Sequence, residues 1–417
     1  MIKIKSWNTL SWNVKISWSK NAALPILWAT LLLNGKVILK NVPKIGDVLT
    51  FLDILKWIWA EYSFKWNTLY LDTSNITSDN LDLEKIKKIR ASILLLSPIL
   101  YFFKNISIPV PWGCKIGKRP IDVHLNWLRN IGYDYKVEND GITLNWELKS
   151  WDIVLDWRFW VTSTENLIVA NVLRDWITTI KQAAIEPHVM NLIDFLRKAW
   201  ADIKIRYNHD IVISWVKKLT DNFEFDIVHD YIESGTFMVL WALASKDYIT
   251  IENARTQDLF AFMEKLRESW VKIEELWWDI VRVYRCNNLK ATSFQTNIFP
   301  GFPTDLWSPF TVLQTQADWV SNIHEILFEW RLNFLVELEN LWANINIVNS
   351  HEANIIWKTP LVWGDVTSWD LRAWAAMVIA WIIASWETRI TKVEYIYRWY
   401  ENFVEKLKLL WANIKEI

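Results

Sequence analysis

Six times along the chain a leucine is followed four residues later by a single-residue slot and then by a short apolar strand, and this recurrence constrains the fold more than any isolated motif. The slots are Trp59 ("LKWIWAEYSF"), Gly132 ("LRNIGYDYKV"), Trp200 ("LRKAWADIKI"), Trp270 ("LRESWVKIEEL"), Trp342 ("LENLWANINIV") and Trp411 ("LKLLWANIKEI"), with Leu55, Leu128, Leu196, Leu266, Leu338 and Leu407 ahead of them. They lie 68 to 73 residues apart. A leucine-bearing helix that passes through one residue into a strand needs positive φ at that residue, which is the usual reason for glycine just past a helix end. One slot holds glycine and five hold tryptophan.

Composition explains the mismatch. The 417 residues include 32 Trp and only 9 Gly. Together they make up about a tenth of the chain, close to an ordinary glycine share. Many of the tryptophans stand in glycine-like contexts, such as "PWGC" at 111–114, "LWWDI" at 276–280 and "SWDLRAW" at 368–374. The expectation is that most of them are glycine in the natural protein, encoded by UGA codons that some bacterial lineages read as glycine.

The net charge of −1 gives no nucleic-acid surface, so any anion site is a local concentration of Arg and Lys. No apolar run reaches the ~18 residues of a membrane span and no basic-then-apolar leader is present, so a cytoplasmic protein without a membrane partner is expected. Cys114 and Cys286 are too few for a disulfide framework and lack metal-ligand spacing. Cys286 reads as a packing residue.

Six units of about seventy residues exceed one hydrophobic core and predict two lobes of three units each. Each unit reads as strand, helix, strand and further short strands, as in 36–43, a helix to the slot, then 68–72. The boundary falls within 219–237. Residues 1–19 are expected to complete the second lobe, giving lobes of 20–228 and of 1–19 plus 229–417, so that the chain crosses between lobes twice and forms a hinge beside Lys20.

Three stretches carry chemistry. In "KISWSKNAALPIL" (15–27), Ser17, Ser19, Lys20 and Asn21 suit an anion-binding helix N-terminus, where Trp18 is out of place. The segment "PVPWGCKIGKRPID" (109–122) predicts an exposed, mobile, cationic loop that lowers the pKa of Cys114. Arg90, Arg119, Arg331, Arg372 and Arg398 sit in compact contexts away from helical spacing. Each alone fits a solvated face, but with Lys20 they suit a substrate bearing carboxylate and phosphate. Asp305 in "FPTDLWSPFT" follows a Pro turn and reads equally as a helix N-cap or a working carboxylate.

With Trp read as Gly, the 15–27 stretch, "KIRASILLLSP", the Cys114 loop with its Arg-Pro-x-Asp, "FPTD", "DLRA" and "YRWYE" run in the order of one family. The chain resembles the UDP-N-acetylglucosamine 1-carboxyvinyltransferases over essentially its whole length. The resemblance implies two inside-out α/β barrels, each of three βαβαββ units, with a cleft between them. It implies that Lys20, Asn21, Arg119, Arg331, Arg372 and Arg398 bind phosphoenolpyruvate. The UDP-sugar falls to Arg90, Arg119, Pro120, Ile121, Asp122, Val123, Trp160, Val161, Asp305 and Leu327. Here the chain departs from the family's Ser-Val-Gly-Ala-Thr with Trp160, Val161, Thr162, Ser163 and Thr164.

The implied chemistry is addition followed by elimination, the first committed step of peptidoglycan synthesis, and it needs neither metal nor organic cofactor. Asp305 takes the sugar hydroxyl proton, Lys20 and Arg398 stabilise charge, and Cys114 donates a proton or forms a covalent adduct. The same thiol makes such enzymes targets of fosfomycin. Two alternatives remain at this point: the same fold acting on shikimate 3-phosphate, which lacks the Cys loop, and a regulatory paralogue that binds without turnover.

Overall fold

The computed structural model describes residues 2–4, 10, 13–57, 60–76, 97–98, 101, 106–108, 126, 129, 133–138, 141–146, 153–154, 161–362, 371–385, 388–390 and 398–416. The chain separates into two compact units, a first within 18–228 and a second formed by 1–17 and 229–417. Each has its own apolar core.

One sheet pattern recurs in both. In the first unit, Phe223–Asp226 runs parallel to Lys36–Lys40, which pairs antiparallel with Thr68–Asp72, itself in a hairpin with Glu61–Lys65. The same order is taken by Ile153–Val154, Thr178–Lys181, Ile211–Ser214 and Asp202–Ile205. The second unit repeats it with Asn13–Lys15, Tyr248–Glu252, Val281–Tyr284 and Ile273–Glu275. It repeats it again with Phe294–Gln295, Val320–His324, Glu352–Ile356 and Ile345–Ile347. In all four a helix lies in sequence between the second and fourth strands named: Gly46–Trp57, Pro187–Lys198, Phe260–Glu268 and Leu335–Glu339. Two three-stranded sheets complete the set. One orders Ile106–Ile108, Gly141–Trp146 and Tyr133–Glu138, and the other places Ile2–Ile4 between Thr388–Ile390 and Ile414–Glu416. Among the described residues these six sheets of three or four strands stand beside one two-stranded pairing, Leu289–Lys290 with Ala317–Asp318, and they divide three to each unit as the six sequence repeats do.

The slots behave as their backbone requirement predicts. Trp200, Trp270, Trp342 and Trp411 have φ of 74°, 69°, 71° and 70°. At each, the slot N–H donates to the carbonyl three residues back, and the next N–H reaches the repeat leucine five residues back: Ala201 to Leu196, Val271 to Leu266, Ala343 to Leu338 and Ala412 to Leu407. This is the Schellman helix ending, whose left-handed residue is normally glycine and whose flanking apolar pair seals the turn. The leucines and the residues after the slots are buried, while the four indoles are 62% to 74% exposed. Trp59 and Gly132 lie outside the described residues.

Helices that are apolar all round must be interior, and Tyr231–Ala244, Trp307–Gln314 and Leu371–Ile383 pack on one another in the second unit. Lys20–Ala29 buries nine of its ten residues in the first. Pro187–Lys198 is amphipathic instead, burying Leu192, Phe195 and Leu196 and exposing Arg197 and Lys198. Trp28, Trp241, Trp307, Trp374 and Trp381 are fully buried. The indole N–H of Trp28, Trp241, Trp307 and Trp381 has no hydrogen-bond partner, although a buried indole normally finds one. Trp28 and Phe51 have ring centroids 3.4 Å apart, well inside the ~4.5–7 Å that aromatic pairs occupy.

Candidate active site

Asp305 lies in the short 3-10 turn Thr304–Leu306 that feeds the helix Trp307–Gln314, and it stands at the cap position of neither, which fall to Pro303 and Leu306. It pairs instead with Arg331, whose Nη2 stands 2.8 Å from Asp305 Oδ1. Of the two readings of Asp305 the helix cap is thereby corrected: Pro303 caps the turn and Leu306 the helix, and the carboxylate turns toward a cation 26 residues on. Arg331 also donates to the Thr304 carbonyl and, at 2.6 Å, to its hydroxyl, and its guanidinium lies 4.9 Å over the Phe328 ring.

Glu325 completes this cluster. Its carboxylate accepts the Thr304 hydroxyl at 2.6 Å on one oxygen and the Leu327 and Phe328 N–H groups at 2.8 and 3.2 Å on the other. Burial pushes its carboxyl above the usual range, and the Arg331 charge and the Thr304 hydroxyl oppose that rise. Thr304, Asp305, Leu327 and Arg331 are thus tied into one network through a carboxylate that sequence reading missed. Its signal was faint, a lone acid between His324 and Ile326 in "NIHEILF".

In the first unit, Lys20 opens the helix Lys20–Ala29, and the Ser19 hydroxyl caps that helix by accepting from the Ala22 N–H. Lys20 Nζ is 2.9 Å from Asp47 Oδ2, with both side chains more than nine-tenths buried. Asp47 stands in the first turn of Gly46–Trp57, where its charge suits the helix dipole. It is a second partner that sequence reading missed. Asn21 is half-buried beside Lys20.

Val161 begins the helix Val161–Asn171 and is half-buried. One turn on, Glu165 is buried, and burial together with the Glu186 charge pushes its carboxyl well above the usual range. Arg398 is half-buried in the turn ahead of the helix Phe403–Leu409. Arg372 is the second residue of Leu371–Ile383, a helical position where its local sequence suggested none. Cys286 packs against the core of the second unit, as its sequence context suggests, and burial raises its thiol pKa. Arg90, Cys114, Arg119, Pro120, Ile121, Asp122, Val123 and Trp160 lie outside the described residues.

A protein of Desulfosudis oleivorans named UDP-N-acetylglucosamine 1-carboxyvinyltransferase is 36% identical over 417 residues, covering 100% of this chain and 99% of that one. The chain belongs to this family of transferases. A Prochlorococcus marinus protein of the same name is 37% identical over 418 residues, covering 99% and 90% of the two chains. The family model described as EPSP synthase (3-phosphoshikimate 1-carboxyvinyltransferase) matches residues 4–407. Among solved structures, the enolpyruvyl transferase NikO from Streptomyces tendae superposes with a TM-score of 0.90 at 20% identity over 99% of this chain and 98% of that one. EPSP synthase from Acinetobacter baumannii gives 0.74 at 14% identity over 99% of each. The family's fold, two α/β barrels of three units each, is therefore that of this chain, in keeping with the six sheets. Among the described residues no helix is long and apolar enough to cross a membrane.

Proposed function

We propose that the chain transfers the enolpyruvyl group of phosphoenolpyruvate to the 3-hydroxyl of UDP-N-acetylglucosamine. Asp305 accepts the hydroxyl proton as that oxygen bonds to C2 of phosphoenolpyruvate, while Cys114 delivers a proton to C3. The resulting ketal then loses the C3 proton, and its C2–O bond to phosphate breaks, releasing inorganic phosphate and leaving the enol ether. Lys20, Asn21, Arg119, Arg331, Arg372 and Arg398 hold the phosphate and carboxylate, where fixed cations stabilise the charge that develops. Arg90, Arg119, Pro120, Ile121, Asp122, Val123, Trp160, Val161, Asp305 and Leu327 hold the UDP-sugar. Both substrates are soluble phosphate esters of the cell interior, so the reaction is assigned to the cytoplasm.

The observation that carries this reading is the Asp305–Arg331 pair in a chain matched end to end by the family. Arg331 fixes the orientation of the carboxylate, and a held geometry is what general-base catalysis needs. The test is phosphate release with phosphoenolpyruvate and each acceptor in turn. Release that requires UDP-N-acetylglucosamine supports the proposal, release with shikimate 3-phosphate replaces it, and binding without release gives a regulatory protein. For Cys114, fosfomycin is expected to block turnover of the parent, while Cys114→Asp keeps turnover and escapes the drug, because a carboxylic acid donates a proton without being alkylated as a thiol is. Label recovered on Cys286 would overturn that role.

A further inference from the structure

We propose that the buried Glu233–Lys406 pair is a positioning device for the phosphoenolpyruvate end of the reaction, holding the two segments that carry Lys20 and Arg398. The proposal rests on the site assignment above. Glu233 lies in the first turn of Tyr231–Ala244 and is 1% exposed. Its Oε1 is 2.6 Å from Lys406 Nζ, and its Oε2 accepts the Ser17 N–H at 2.7 Å. Lys406 also donates to the Ser17 hydroxyl at 2.5 Å, and the Asp230 N–H donates to the Ser17 carbonyl at 2.9 Å. Ser17 is thus fixed at its N–H, its hydroxyl and its carbonyl. It is the last residue of the second unit before the chain enters the first, three residues ahead of Lys20.

The other segment meets the same helix. Lys406 belongs to Phe403–Leu409, and just ahead of that helix the buried Tyr400 places its hydroxyl 3.2 Å from Thr236 Oγ1, three residues along from Glu233. Arg398 is two residues before Tyr400. A buried ion pair stabilises a fold no better than an apolar pair of the same volume, so what it adds here is geometry. The carboxylate and ammonium specify where a backbone N–H and a hydroxyl must sit, which no methyl group does.

Steady-state phosphate release tests this. Glu233→Leu/Lys406→Met removes both charges together, leaving none buried and unpaired, and is expected to raise the KM for phosphoenolpyruvate roughly tenfold while the KM for the UDP-sugar stays within about twofold. Lys406→Arg with Glu233 intact keeps the ion pair and should show only a small part of that rise. Ser17→Ala deletes a hydroxyl and no charge, so it folds whether or not the double variant does, and a rise of about threefold in the same KM is expected. Equal movement of both KM values, or none in Ser17→Ala, overturns the proposal. Arg398→Ala is the benchmark. If it leaves the phosphoenolpyruvate KM alone, the site assignment fails and this proposal with it; if it raises that KM and the pair variants do not, this proposal alone fails.

A separate observation carries a second inference: we infer that most of the tryptophan positions are glycine in the natural protein. Of the seventeen non-glycine residues at positive φ among the described residues, eight are tryptophan: Trp66, Trp200, Trp270, Trp278, Trp319, Trp342, Trp357 and Trp411. Asn and Asp tolerate that region, whereas a bulky residue there is an outlier. Trp66 opens a two-residue hairpin turn, since Lys65 pairs with Thr68, and such turns favour glycine at that place. In the helix interiors the fault is the opposite one, too much volume and an unpaired N–H. Only a residue with no side chain removes both faults. Peptide mass mapping of the protein from its own cells is expected to find each such peptide about 129 Da lighter per position than written, and the intact chain lighter than 49.7 kDa by up to about 4 kDa, the figure for all 32 positions. Peptides of the written mass at Trp200, Trp270, Trp342 and Trp411 overturn it.

Discussion

Each unit sets a cation against an aspartate where a buried helix begins, yet the two pairs are enclosed to different degrees. Lys20 and Asp47 are both almost fully covered, with side-chain exposures of 9% and 6%. Arg331 is covered to a similar extent at 4%, but Asp305 keeps 23% of its side chain accessible. A closed pair orients its lysine. A pair with an open carboxylate can also present that carboxylate to a hydroxyl. The difference suits the roles proposed for them, anion holding by the first and proton transfer by the second.

The largest expected effect is on rate. Asp305→Asn keeps a hydrogen-bond acceptor for Arg331 but cannot take a proton, and loss of a general base typically lowers kcat by ~10²–10⁴. The melting temperature should barely move. Unchanged kcat would put the two pairs in the same structural class.

The next effect is on stability. Asp47→Ala strips the Asp47 partner from a covered lysine, and breaking a buried pair typically costs about 3–5 kcal/mol. Asp305→Ala should cost distinctly less by urea unfolding, because water reaches that site. The reverse order would break the comparison.

A smaller effect concerns pH. Burial raises the Glu325 carboxyl, so the folded chain binds its proton more tightly than the unfolded chain does. Stability from this group is therefore highest at low pH and falls as pH rises from the usual 4.5 through the raised value. Glu325→Gln should flatten that slope in urea midpoints measured across the window, and an unchanged slope would show that the carboxylate under Arg331 is fully compensated. Smallest of all, Ser19→Ala removes the cap ahead of Lys20 and should cost about 1 kcal/mol of thermal stability. A large kcat loss there would mean that the closed pair depends on its cap more than on Asp47.

What sequence made legible was what local backbone chemistry dictates. The slots at Trp200, Trp270, Trp342 and Trp411 were readable because a Schellman ending binds a leucine, a left-handed residue and an apolar residue at fixed offsets, whatever the rest of the chain does. Lys20 was readable as a helix start because Ser19 caps it locally. The strand expected over 36–43 stops at Lys40, and the hairpin strand Glu61–Lys65 completes the sheet that 68–72 had signalled. Asp47 and Glu325 were not readable. Their partners stand 27 and 21 residues away, Lys20 for the one and Thr304 for the other, and no periodicity links them. Asp305 was ambiguous for the same reason, because Arg331 decides its role from outside its own turn.

The left-handed helix ends, on the inference that they are glycine, would tie this enzyme to the codon table of its host. If they are glycines encoded by UGA, a cell that reads UGA as stop ends the chain after Ser6, just before the first tryptophan in the written sequence. A cell that reads it as tryptophan makes a full-length chain with an indole at the four left-handed helix ends Trp200, Trp270, Trp342 and Trp411. In neither recipient does an intact gene yield the enzyme, so its passage between lineages with different codes is blocked by the folding of its product as firmly as by its translation.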